Sequence, residues 1–372
     1  MTTYDKRCYA MALLRVQGLG PRGARDLLDN ATAEELFSLS PQELIDRYQI
    51  SPELAQSFQD PEPLTWAKSE LEFVDRNNIE PCTLGDPAYP PQLIGCPDAP
   101  ALLYYKGENL DYNAPFIAIV GTRKASRYGQ QLVESFIHDL AVAKPTAVIV
   151  SGLAYGIDIM AHRAALNAGL RTVGVLAHGF DRIYPAAHRA TAAEVLRHGG
   201  LLTEYPSGTS PERYNFLARN RIVAGICDAT IVVESNFKGG SLSTARLARS
   251  YGRELFAFPG RTTDASSAGC NALIRSHKAE MITSAADFLD AMGWADTSQA
   301  KEQKQVTEPQ IDFLSPEEEK LYEVLASCES MHVDQLSLTA RVPVYRLSAV
   351  IFQMEMRGLV ELLPGSHYRL IR

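Results

Sequence analysis

The 372-residue chain is informative first through what it lacks. No apolar run approaches the roughly 20 residues that a membrane-spanning helix needs. The N-terminal stretch MTTYDKRCYAMALL is too polar, and its apolar part too short, for a secretory signal. Both absences predict a cytoplasmic protein with no membrane partner. Six cysteines (Cys8, Cys82, Cys96, Cys227, Cys270 and Cys328) occur without a CxxC pair, which favours reduced, partly buried thiols over disulfides or a metal site. An excess of positive charge is also missing. With 44 acidic and 36 basic residues the net charge is −8, which disfavours non-specific coating of nucleic acid but permits a local basic groove.

Several nucleotide and catalytic signatures are absent. No GxGxxG follows a strand, and the second predicted core strand runs into Ser151 rather than an acidic residue for a ribose hydroxyl. A dinucleotide coenzyme is therefore not expected. There is no GxxxxGK[ST] phosphate loop and no GxSxG elbow. His162, His178 and His188 lack the i, i+4 pairing of helical metal ligands. No catalytic residue, metal or cofactor is assigned.

Apolar patterning divides the chain. Residues 1–75 read as small helices. Within them LLRVQGLGPRGARDLL (Leu13–Leu28) is similar to a helix–hairpin–helix, a motif whose second helix can offer backbone N–H groups to a phosphate. Lys6, Arg7, Arg15, Arg22 and Arg25 make this corner locally basic; helix packing alone is the competing role. Ser40 to Phe58 predicts a second, structural helix pair. Residues 61–115 carry Pro81, Pro87, Pro90, Pro91, Pro97, Pro100 and Pro115, which predict extended connections, with the segment Asp86 to Gly107 wrapping the domain that follows. The larger unit spans 76–294. In it, strands are predicted at Phe116–Val120, Ala147–Val150, Arg171–Leu176, Leu201–Glu204, Ala229–Val233 and Glu254–Phe258, with helical patterns between. That alternation predicts a doubly wound α/β fold with a mostly parallel sheet. A polar linker over 295–311 leads to a small domain at 312–372, whose helices and terminal hairpin around Pro364-Gly365-Ser366 resemble a winged helix. From Phe313 to Arg372 it holds six Lys/Arg and eight Asp/Glu, so it is read as a protein-contact module rather than a duplex reader.

Polar, glycine and arginine residues gather at the predicted strand ends, where such sheets bind ligands. Phe116–Val120 ends in Gly121-Thr122-Arg123. Ser126 stands at a helix N-cap, with Tyr128, Leu132, Phe136 and Leu140 along one helix face. This turn is a seat for an anion, and Arg123 adds fixed charge. Further strand ends carry Ser151-Gly152-Leu153-Ala154-Tyr155-Gly156-Ile157-Asp158, then Tyr184-Pro185 and His188. A loop with Arg219-Asn220-Arg221 is read before the fifth core strand, and Lys238-Gly239-Gly240-Ser241 follows that strand.

These motifs, in this order, resemble the bacterial DNA-processing protein A (DprA/Smf) family over nearly the whole chain. The resemblance implies a sterile-alpha-motif-like or helix–hairpin–helix module, a Rossmann-like core and a C-terminal winged helix. It implies single-stranded DNA as ligand, loading of the recombinase RecA during natural transformation and homologous recombination, and a homodimer. Here Lys238 adds a cation, and His188 takes a position usually filled by Asn. On this reading Gly121, Thr122, Arg123, Ser151, Gly152, Tyr155, Gly156, Tyr184, His188, Arg219, Asn220, Arg221, Lys238, Gly239, Gly240 and Ser241 form the DNA or phosphate site. Arg123, Arg219, Arg221 and Lys238 supply charge, N–H groups of Gly121, Gly152 and Gly240 complete the groove, and Tyr155, Tyr184 or Phe180 is available to stack a base, with core or lid packing as the favoured competing role of each ring. Asp158 and His162 are assigned to fixing the loop, and Glu234 to orienting an arginine.

Two other readings compete. The run from Arg219 to Gly240 is also similar to phosphoribohydrolases acting on nucleoside monophosphates. Their catalytic Glu falls here on Arg246, which inverts the charge the chemistry needs. A third reading is a pure adaptor acting through the winged helix.

Overall fold

The computed structural model describes residues 5–295, 314–328, 330–357, 359–363 and 367–371. The expected linker, apart from residue 295, and the hairpin tip Pro364-Gly365-Ser366 lie outside the described residues. The chain divides into two compact units, Met1–Ala295 and Asp296–Arg372.

The first unit begins with α1 (Lys6–Ala12), α2 (Pro21–Leu28), α3 (Ala33–Ser38), α4 (Pro41–Tyr48), α5 (Pro52–Ser57) and α6 (Glu62–Arg76). Local chemistry sets their starts. Thr32, Ser40 and Ser51 accept from the backbone three residues on, and Ser40 with Glu43 closes a capping box. These helices do not stand apart from the sheet. Cys8, Met11, Ala67 and Val74 share a core with Leu102 and Tyr104.

Nine strands form one sheet: β1 (Glu80–Thr83), β2 (Leu102–Gly107), β3 (Phe116–Val120), β4 (Val148–Ser151), β5 (Arg171–Val175), β6 (Gly199–Thr203), β7 (Ala229–Val232), β8 (Glu254–Ala257) and β9 (Glu280–Met281). Their order is β1-β2-β6-β5-β4-β3-β7-β8-β9. All neighbours from β6 across to β9 run parallel. The six strands read from the sequence are these parallel ones without β9. Reading 86–107 as a simple wrap misses β2. It adds antiparallel to β6 and brings β1 with it. Leu102 and Tyr104 face one core while Leu103 and Tyr105 face another. A strand covered on both faces shows no apolar–polar alternation.

The centre of the sheet follows the same rule. Phe116, Ala118 and Val120 enter one core; Ile117 and Ile119 enter the core on the other face. Between strands run α7 (Pro91–Ile94), α8 (Arg127–Ala143), α9 (Ile157–Asn167), α10 (Arg189–Val195), α11 (Arg213–Ile226), α12 (Ser241–Ser250) and α13 (Ala268–Arg275), and α14 (Ala285–Ala291) follows β9. From β3 the chain winds outward through β4, β5 and β6, then returns through α11 to β7 on the other side of β3. Strand order therefore reverses between β3 and β7, the point where such sheets open a crevice at their carboxyl ends.

The second unit has α15 (Pro316–Ala326), β10 (Met331–His332), α16 (Val333–Ala340), α17 (Val344–Met356), β11 (Val360–Leu363) and β12 (His367–Leu370). Its strands pair in the order β10-β12-β11 around a core that includes Leu321, Leu336, Leu347 and Ile351. Three helices with a small antiparallel sheet make a winged helix. Arg357 pairs with the buried Glu318 at 3.1 Å.

Among the described residues no helix is long and apolar enough to cross a membrane, and no group of three or more His, Cys, Asp or Glu is placed to hold a metal ion. All six cysteines are free thiols, five of them buried.

Candidate nucleic-acid interface

A crevice of about 620 Å³ opens at the β3/β7 reversal. Its floor is the turn after β3. Thr122 donates its N–H to the Glu234 carbonyl at 2.7 Å, and Ile157 N–H bonds back to the Thr122 carbonyl at 3.2 Å. These bonds lock three strand ends together. The glycines allow the approach. A Cβ on Gly121 would lie 2.4 Å from Ile157, and one on Gly156, at φ +76°, would lie 2.1 Å from the Thr122 carbonyl oxygen.

Of the residues expected to bind, Gly121, Thr122, Arg123, Gly152, Tyr184, Arg219, Asn220, Lys238, Gly239, Gly240 and Ser241 line this crevice. Arg123 is exposed, and its guanidinium lies 5.0 Å from the Phe216 ring centroid. Phe216 in turn meets Tyr184 at 5.8 Å. Cation, ring and ring thus stand in a row along one wall. Lys238, also exposed, stands on the loop leading into α12. Tyr184 is held from behind. His178 donates through Nδ1–H to the Gly179 carbonyl at 2.8 Å, which leaves Nε2 free to accept the Tyr184 N–H at 3.2 Å. Burial keeps this imidazole below its ordinary pKa and so neutral.

Several expected roles are corrected. The helix start at Ser126 is not an open anion seat. The buried Glu234 carboxylate fills it, accepting from Ser126 N at 2.8 Å and Ser126 Oγ at 2.5 Å. Glu234 therefore anchors a loop and orients no arginine. Arg219 is buried, donating to the carbonyls of Gly152 and Val175, so it braces the turn instead of offering a free cation. The Gly152 N–H is likewise taken, by Asp158 Oδ2 at 3.2 Å. Burial pushes Asp158 above and Arg219 below their ordinary pKa values, and each charge offsets part of the penalty on the other. Arg221 does not reach the crevice. It is buried against Glu204 at the edge of a separate hollow lined by Tyr214, Ala218 and Arg22.

Ser151, Tyr155, Gly156 and His188 also lie behind or beside the crevice rather than in its lining. Ser151 Oγ donates to the Ile119 carbonyl at 2.6 Å. Buried His188 bonds the Leu153 carbonyl at 2.8 Å and meets the half-exposed Tyr155 ring edge-on at 4.8 Å. Phe180 is partly buried core. In the helical hairpin Arg7 pairs with Asp5 and Asp75, Arg15 lies over Trp66, and Arg25 bonds the Ile94 and Cys96 carbonyls. Three of the five cations there hold the fold.

Sequence reasoning missed Arg213 and Phe216 as lining residues. Reading 219–221 as a loop hid them. On α11, Arg213, Phe216, Asn220 and Val223 fall at i, i+3, i+7 and i+10, one helix face, while Tyr214, Ala218 and Arg221 fall on another. Helical periodicity counted from Arg213 is the signal that separates them.

A doubly wound sheet with a cation-bearing, glycine-floored crevice at its reversal point defines the class: a Rossmann-like protein whose crevice opens at the carboxyl ends of its strands. Comparison with known proteins narrows it. The family model described as DNA recombination-mediator protein A matches residues 80–293, and a DprA winged helix model matches residues 305–366. The chain is 35% identical to the putative DNA processing protein DprA of Mycobacterium tuberculosis, covering 90% of this chain and 88% of that one. It is 34% identical to protein Smf of Escherichia coli, covering 82% and 81% respectively. The solved DNA processing protein A of Streptococcus pneumoniae superposes with TM-score 0.59 at 31% identity, over 78% of this chain and 98% of that chain. That of Helicobacter pylori, solved for its single-stranded DNA binding mode, gives 0.52 at 33% identity over 57% and 95%. The chain belongs to the DNA recombination-mediator protein A (DprA/Smf) family of DNA-processing proteins.

Proposed function

We propose that this chain binds single-stranded DNA through the crevice between β3 and β7, and that it acts in recombination and transformation by delivering the strand to the recombinase RecA. The row Arg123–Phe216–Tyr184 carries the reading. A cation beside exposed aromatic surface suits a strand whose phosphates and unstacked bases are both accessible. Arg213 and Lys238 extend the charge, and the Gly239-Gly240 turn lets a backbone approach closely. The single-stranded DNA binding mode of the Helicobacter pylori relative supports the same ligand here. A homodimer is part of the proposal by family membership.

Binding rather than catalysis is the favoured role. The carboxylate a phosphoribohydrolase would need falls on Arg246, and the nearby Glu234 is 1% exposed with both oxygens bonded to Ser126. The test is titration of labelled oligothymidylate at several salt concentrations. Arg123→Glu is expected to lower affinity by roughly tenfold or more and to flatten the salt dependence. Unchanged affinity and slope would place the DNA elsewhere.

A further inference from the structure

Beside the crevice lies a second groove of about 650 Å³, which shares Leu217, Lys238, Gly239 and Gly240 with it. Lys238, Arg246, Arg249 and Lys278 line this groove, all four are exposed, and no acidic residue lines it. That arrangement runs against the chain as a whole, whose net charge is −8. Arg246 and Arg249 stand three residues apart on α12 and so share a face. Lys238 precedes that helix and Lys278 follows α13, so three separate segments converge on one basic strip. Clustered like charges with no counter-charge repel one another, and a bound polyanion relieves that repulsion.

Two further observations select the kind of anion. Phe237 lines the groove with 66% of its surface exposed, and Leu217 on the shared wall is 47% exposed. An exposed ring offers a face to an unstacked base, which a duplex does not present. At Gly240, on the shared ridge, no atom lies within 4 Å of a Cβ position, so a backbone can cross there unobstructed.

We infer that the groove lined by Lys238, Arg246, Arg249 and Lys278 is a second segment of the single-strand path, entered from the crevice across the Lys238-Gly239-Gly240 ridge. The inference rests on the crevice being the primary site. It predicts that short and long strands use different residues. A short oligomer fills the crevice; a longer one continues over the ridge, with its phosphates on the α12 arginines.

The experiment is a length series of oligothymidylates, from about 4 to about 16 nucleotides. It uses the full-length protein, wild type and the Arg246→Gln/Arg249→Gln double variant. Both arginines are exposed, and matching thermal melting curves establish that the variant is folded. Wild-type affinity is expected to rise with length and then level off. The double variant is expected to bind the shortest oligomer as wild type does and to lose roughly tenfold for the longest. The magnitude of its logarithmic salt slope for the long oligomer should fall by about 1.4, from two lost phosphate contacts on a single strand. Equal binding of long oligomers by both proteins overturns the inference, and so does an equal loss at every length. If the variant changes only the sedimentation behaviour of the free protein, the groove is a surface between copies of this chain and the inference also fails. Arg123→Glu run beside it separates the two levels: loss of short-strand binding in that variant alone upholds the crevice, whatever the groove does. Wild type that binds no oligomer of any length overturns both.

Discussion

At the scale of single residues, position decides what a charge does. Arg123 and Arg219 carry the same group within one crevice. Arg123 is exposed against a ring, whereas Arg219 is buried on two backbone carbonyls. A buried guanidinium already bonded has little left to offer a phosphate; an exposed one loses little on binding. His162 shows the same dependence on surroundings. Thr172 Oγ1 donates to the Ile149 carbonyl at 2.8 Å, so it accepts from His162 Nδ1 at 2.7 Å, and the ring is held neutral. Burial lowers its pKa from 6.5 to about 3. Between those values the unfolded chain takes up a proton that the folded chain refuses. This group's contribution to stability is therefore present above pH 6.5 and is lost as acid is added, by up to about 1.4 kcal/mol per pH unit. Urea midpoints measured from pH 7 down to pH 4 should fall more steeply for wild type than for His162→Gln; parallel curves would contradict this assignment.

Among the elements, α11 does two jobs because its faces differ. One face, with Arg213, Phe216 and Asn220, lines the crevice. Another, with Tyr214, Ala218 and Arg221, lines the hollow beside the N-terminal hairpin. The turn before α9 is equally specific. Gly156 has φ +76°, and a Cβ there would strike the Thr122 carbonyl and Arg123 backbone. Gly156→Ala is expected to cost about 1–3 kcal/mol of stability and to displace the Thr122-Arg123 turn. Oligothymidylate affinity should then drop although no side chain that touches DNA is altered. Wild-type affinity in a folded Gly156→Ala protein would show that the turn's position does not matter. Six parallel strands, β3 to β8, were legible because buried parallel strands read as unbroken apolar runs. The antiparallel β2 was not, because the prolines around it suggested only an extended connection.

For the molecule as a whole, the crevice and groove belong to the unit Met1–Ala295, and the winged helix forms its own core in Asp296–Arg372. Removing 296–372 should leave oligothymidylate affinity within about twofold of wild type, since the contacts that dominate single-strand binding are phosphates on local cations. A large loss on truncation would move part of the DNA site into the winged helix.

The fold class was legible in the chain itself, and so was the gathering of glycine, polar and arginine residues at the strand ends. Unbroken apolar runs, cap residues and glycines at strand ends act locally, and their meaning survives without knowledge of the partner. Which of the rim's charges are free is settled by contacts made on folding. Glu234 fills the helix start at Ser126, Arg219 turns inward to Gly152 and Val175, and Arg221 leaves for Glu204. Each outcome depends on groups distant in sequence competing for one donor or acceptor, and no local pattern records who wins. The turn at Gly121-Thr122-Arg123 floors the crevice, with the helix start behind it filled by Glu234 and Arg123 exposed beside Phe216.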